Sequence, residues 1–231
     1  MQQTAGLNLM SSIATREALR ELAPMFEQTG GCKVALSFAG GVDIVRRLRA
    51  GEGGVDVVIL QASAVEELVQ AGALAAGSRV DFASSTVGVA VRAGAPRPDL
   101  GSGEAVMRAL LAAKSIAISS GPSGVYLLGL FERMGIPREK VVQTKPGMMA
   151  GEVVARGEAE IGFQQLSELL PVKGIDFLGP LPNEIQHVTV FSGGVHAGSV
   201  HPQVARELMQ FLASPAAAPV LRAKGLEPAS R

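Results

Sequence analysis

Hydrophobic and polar positions along this chain change in blocks. Short aliphatic runs recur, and each is followed by a stretch in which apolar residues return every three or four positions, the pattern of strands alternating with amphipathic helices. Leu7-Asn8-Leu9-Met10 reads as a strand ending at Ser11-Ser12. The spacing of Leu19, Leu22, Ala23 and Phe26 predicts a helix over Ala14 to Gln28, kinked at Pro24 and closed by Gly30-Gly31. A second strand, Lys33 to Phe38, leads through Ala39-Gly40-Gly41 into a helix carrying Ile44, Val45 and Leu48. Asp56 to Leu60 is almost wholly aliphatic, as in a parallel strand covered on both faces. The helix expected over Ala64 to Ala71 stops at Gly72.

A second series begins with a strand over Thr86 to Val91 and a loop, Gly94 to Pro98. A helix near Ala105 to Ala113, a strand Ser115 to Ser119 and a helix Val125 to Met134 follow, the last stopped by Gly135 and Pro137. A short helix near Met148 to Arg156 precedes the strand Ala159 to Phe163, with Gln164-Gln165 just beyond it. Extended runs at Ile175 to Leu178 and His187 to Phe191 are followed by helices Pro202 to Ala213 and Pro215 to Ala223. The two closing helices have no strands of their own nearby, so they are expected to return to the first series. That gives one lobe of residues 1–84 and 188–231 and another of residues 85–187, joined by two crossings.

Composition narrows the function. The 231 residues are 47% hydrophobic, 18% charged and 4% aromatic, with 21 basic residues against 21 acidic ones. Zero net charge disfavours a nucleic-acid partner, and the apolar content disfavours disorder. Cys32 is the single cysteine, which excludes a disulfide scaffold. No run approaches the roughly 18 apolar residues of a spanning helix, so no membrane insertion is expected. The first residues lack a basic segment followed by an apolar one. The chain is therefore either cytoplasmic or, the preferred reading, a mature periplasmic chain whose polar lead-in is Gln2-Gln3-Thr4.

Small polar residues gather where strands end. The four places are Ser11-Ser12, Ala39-Gly40-Gly41, Gly121-Pro122-Ser123-Gly124-Val125 and Gln164-Gln165. A Ser there also suits a helix cap, and a Gly pair also suits a turn. Recurrence in successive strand–helix units points to an anion site built from helix N-termini and small polar groups. Catalytic motifs are sparse. Gly121 to Val125 half matches a nucleophile elbow, and His196 and His201 flank a Gly and precede Pro202, so they share no helix face. No metal site is expected, and without a phosphate-binding or dinucleotide glycine motif no cofactor is expected either. Glu168 and His187 are the acid–base candidates, for their proximity to these segments.

At these segments the chain resembles the molybdate-binding subunit of ABC importers. The resemblance rests on Ser11-Ser12, on Gly51-Glu52 leading to Asp56-Val57-Val58-Ile59, on Pro122-Ser123-Gly124-Val125-Tyr126, and on Gly157 to Gly162. It implies an α/β, two-lobed type II periplasmic-binding-protein fold with a ligand cleft between lobes. It also implies a small anionic ligand and an importer membrane subunit as partner. The second loop has no hydroxyl, and Gln165 stands where that family has a Tyr. Two hydroxyls are thus replaced, one of them by an amide, which suits a planar carboxylate better than molybdate. A divergent branch is similar to aconitate isomerase, which shifts a double bond by proton transfer. For that reaction Glu168 or His187 would carry the proton. A cytoplasmic ligand sensor is a third reading.

Overall fold

The computed structural model describes residues 6–30 and 32–229. The expected stop at Gly31 and the lead-in Gln2 to Thr4 lie outside them. In chain order the elements are β1 (Gly6–Ser12), a 3-10 turn (Ile13–Thr15), α1 (Arg16–Gly30), β2 (Lys33–Ala39), α2 (Gly41–Arg49), β3 (Val57–Gln61), α3 (Ala62–Gln70) and β4 (Val80–Arg92). Then come α4 (Gly103–Ala112), β5 (Ile116–Ile118), α5 (Pro122–Arg133), β6 (Val141–Gln143), α6 (Ala150–Ala155), β7 (Ile161–Gln165), α7 (Leu166–Leu169) and β8 (Ile175–Pro180). The chain closes with β9 (Val188–Val195), α8 (Pro202–Leu212), α9 (Ala218–Ala223) and β10 (Glu227–Pro228). Among the described residues no helix is long and apolar enough to cross a membrane. The chain forms two compact units, one running to Ser84 and resuming at Val190, the other Ser85–Thr189.

In the first unit β2, β1 and β3 lie parallel in that order, and β9 joins β3 antiparallel. The period of two along β1 and β3 divides their side chains between two layers. Leu7, Leu9, Val57 and Ile59 face Leu19, Leu22 and Phe26 of α1, with Leu208, Met209 and Leu212 of α8 in the same cluster. Met10, Val58 and Leu60 face Ile44, Leu48 and Leu68 of α2 and α3. Because β3 is flanked on both sides and covered on both faces, Val57 to Leu60 are at most 1% exposed, and each such side chain contributes about 1.5–3 kcal/mol. α1 runs through Pro24 as one element.

In the second unit β6, β5 and β7 are parallel, and the second half of β4 lies between β7 and β8, antiparallel to both. Ile116, Ile118, Ile161 and Phe163 pack with Val106 and Leu110 of α4 and with Leu127, Leu130 and Phe131 of α5. Phe131 meets Phe163 edge-on at 5.5 Å. On the other face Ala117 packs with Ala150, Val153 and Val154 of α6.

Two boundaries differ from the sequence pattern in ways that matter. β7 begins at Ile161, two residues later than the apolar run predicts. Ala159 is buried against α6, and its apolar signal belongs to the turn that Gly157 closes at φ +75°. Gln164 and Gln165 are therefore the last residues of the strand, so their side chains point to opposite faces. α7, β6 and β10 are too short to leave a period and were not expected.

Candidate functional site

Strand register brings the predicted loops together in pairs. In the first unit Ser12 lies opposite Ala39 across β1 and β2, so the Ser11-Ser12 end and the Ala39-Gly40-Gly41 turn are neighbours. In the second unit Ile118 lies opposite Phe163 across the parallel β5 and β7. The start of α5 and the Gln164-Gln165 end therefore leave the sheet at the same edge.

Ser11 and Ser12 differ sharply. Ser11 is fully buried, its hydroxyl 2.6 Å from that of Thr15 and 3.4 Å from the Ile59 carbonyl. Ser12 caps the 3-10 turn by its backbone alone, and its buried Oγ has no hydrogen-bond partner among the described residues. A buried hydroxyl left without a partner costs about 1–3 kcal/mol unless something else satisfies it. Gly40 is the N-cap of α2 in extended backbone, φ −64° and ψ 140°, with no side chain to take up the first-turn N–H groups. Val42 beside it is 78% exposed, and Asp43 pairs with Arg46 and Arg47.

The start of α5 is built around a close approach. Gly121, and not Ser123, is the N-cap, and Pro122 takes the first helical position. Ser123 is buried with its hydroxyl 3.1 Å from that of Ser119, which also accepts the Gly121 N–H at 3.3 Å. A Cβ at Gly124 would sit 1.7 Å from the Ser119 carbonyl oxygen, so only glycine lets this helix start so near the end of β5. No side chain caps α5, so its first N–H groups remain for other acceptors, and Val125 is exposed there.

The two glutamines have separate tasks. The side-chain Oε1 of Gln164 accepts the Ala150 N–H at 2.7 Å, and so caps α6 from inside the core. Gln165, 3% exposed, donates from Nε2 to the Thr189 hydroxyl at 2.5 Å, and its Oε1 has no partner among the described residues. Ser167, two residues on, is also buried, and its hydroxyl has no partner among the described residues. Glu168 is half-buried on α7. His187 is half-buried, its ring stacked on Tyr126 at 4.5 Å, and burial lowers its pKa below the usual 6.5. Thr189, Ser167, Tyr126 and Ser119 escaped the sequence reading. Thr189 and Tyr126 take on their roles through distant partners, Gln165 and Ile185, which no local pattern encodes.

The family of bacterial extracellular solute-binding proteins matches residues 7–227, and the chain belongs to that family. A Pseudomonas protein named aconitate isomerase is 40% identical, over 98% of this chain and 89% of its own. Among solved structures, the periplasmic molybdate-binding protein of Azotobacter vinelandii superposes with a TM-score of 0.78 at 20% identity, covering 97% of this chain and 100% of its own. The sulfate-binding protein SubI of Mycobacterium tuberculosis also gives 0.78 at 20% identity, covering 98% and 88%. These structures share the α/β fold of periplasmic binding proteins.

Proposed function

We propose that this protein takes a small unsaturated polycarboxylate at these strand ends and shifts its double bond by proton transfer, with aconitate the first compound to test. The observation that carries the ligand class is the buried amide of Gln165, held at one end by Thr189 and open at the other. The Thr189 hydroxyl both donates and accepts, so the amide can present either its carbonyl or its NH2 group. A planar amide gives a carboxylate one directed bond, where a tetrahedral oxyanion profits from donors on all sides. In the second unit the N–H groups of Ser123, Gly124 and Val125 supply neutral donors at the same edge of the sheet, and the first unit has a candidate set of its own in Ser12 and the N–H groups of Gly40 and Gly41. Such helix starts favour anions by about 0.3–1 kcal/mol each at exposed positions. The reaction is supported by the aconitate isomerase relative, 40% identical over nearly the whole chain.

A second reading is favoured by the family match over residues 7–227. It is a periplasmic receptor that passes its anion to the membrane subunit of an ABC importer without changing it. Incubation with cis-aconitate separates the two. The isomerase interconverts cis- and trans-aconitate at catalytic protein concentration. The receptor shows no turnover, while its stability rises with the logarithm of ligand concentration, by about 2.7 kcal/mol at 100 times Kd. Neither turnover nor a shift with any tricarboxylate rejects both.

A further inference from the structure

We infer that His187 is the group that moves the proton in the proposed reaction, and that Tyr126 and Gln186 are its positioning residues. The inference rests on the isomerase reading above and names the parts of unit 2 that would perform it.

Three contacts fix His187. Its ring lies nearly parallel to that of Tyr126, 17° between planes with centroids 4.5 Å apart. The Tyr126 hydroxyl donates to the carbonyl of Ile185 at 2.8 Å, so one side chain holds both the imidazole and the backbone just before it. Gln186 holds the same segment from the other direction. Its Oε1 accepts the N–H groups of Val87 at 2.9 Å and of His187 itself at 2.8 Å, while its Nε2 donates to the carbonyls of Val87 at 3.2 Å and Leu181 at 3.0 Å. All four of that amide's hydrogen-bonding capacities are thus spent on main chain. Val87 pairs with Gln165 across β4 and β7, so the segment carrying His187 is tied to the strand end that bears the open amide. Thr189, two residues after His187, binds that same amide.

In spite of this anchoring, neither imidazole nitrogen has a hydrogen-bond partner among the described residues. Neither nitrogen is among the fully buried unpartnered atoms, so both stay reachable for a ligand. Burial keeps the ring neutral near pH 7, the form that accepts a proton. In the reaction one nitrogen takes a proton from the methylene carbon of the substrate, breaking a C–H bond and forming N–H. The released electron pair spreads over the three-carbon unit and its carboxylate. The imidazolium then returns the proton to the other terminal carbon, breaking N–H and forming C–H, and the double bond has moved with no redox change.

The test follows aconitate interconversion by proton NMR in water and in D2O, with circular dichroism and melting temperature confirming that each variant is folded. His187→Gln should lower kcat by about 10²–10⁴-fold and abolish deuterium uptake, while aconitate still shifts the melting temperature. Tyr126→Leu, which removes both the stack and the hydroxyl, should lower kcat about 10- to 100-fold with KM changed much less. Tyr126→Phe, which keeps the stack, should recover most of that loss. A folded His187→Gln that retains near wild-type kcat overturns the inference. So does loss of activity in Glu168→Gln with His187→Gln still active, which would make Glu168 the proton carrier. A wild-type protein that binds aconitate without turnover rejects the isomerase reading itself, and the inference falls with it.

Discussion

The strand ends of the two units answer to the same geometry with different chemistry. At the β1–β2 end of the first unit, one hydroxyl is spent on Thr15, one has no partner among the described residues, and the rest is glycine and backbone. At the β5–β7 end of the second, side chains dominate: the open amide of Gln165, the Ser119–Ser123 pair, and an anchored imidazole. Backbone N–H groups hold any anion of suitable size, because they read charge and little else. An amide has a plane and a direction, and a histidine has a proton to exchange. The first end thus offers an anion little beyond charge to read, whereas the second also offers a directed amide and a titratable ring.

Glycine substitution separates the two ends most strongly. Gly124→Ala places a Cβ 1.7 Å from the Ser119 carbonyl, so the start of α5 must move. A loss of about 3 kcal/mol or more is expected in denaturant unfolding. Gly40→Ala meets nothing within 4 Å and keeps an ordinary φ of −64°, so it should cost less than about 1 kcal/mol. Equal costs would remove the distinction between a packed helix start and an open one.

Gln165→Ala comes next. Removing one directed bond to a carboxylate should weaken aconitate binding roughly 10- to 100-fold in a calorimetric titration. Unchanged affinity would put Gln165 outside the site. Smaller effects distinguish the two serines. Ser12→Ala should weaken ligand binding by about 0.5–1.5 kcal/mol with little change in stability, and Ser11→Ala should do the reverse. An exchange of the two results would assign the ligand to Ser11.

The smallest expected effect is on pH dependence. The folded pKa of His187 lies below its ordinary value of 6.5, so as pH falls the unfolded chain takes up that proton first. Its effect on stability is therefore absent well above pH 6.5 and becomes unfavourable as pH drops through and below that value. His187→Gln should lose less stability than wild type between pH 7 and pH 5. Parallel curves would mean that the ring is no more buried than in the unfolded chain.

The strand–helix alternation was legible because buried strands such as Val57 to Leu60 are covered on all sides and leave unbroken aliphatic runs. Register was less so. The buried Ala159 imitates the start of β7, and a shift of two residues decided that Gln164 and Gln165 end the strand. The four strand ends were visible as clusters of small polar residues, yet which member of each cluster is open was not. Ser11 and Ser12 look alike in sequence, and only the turn that follows directs one toward Thr15. The partners that give the second unit its chemistry are distant: Gln165 reaches Thr189 across 24 positions, and Tyr126 reaches Ile185 across 59. No local period encodes such contacts.

The claim that a directed amide has turned an oxyanion-type strand end into a carboxylate site is tested most directly by titrating the wild-type protein with trans-aconitate and with molybdate in the same buffer. Saturable binding of aconitate and at least tenfold weaker binding of molybdate are expected. Molybdate bound more tightly, with aconitate showing no heat at all, would contradict it.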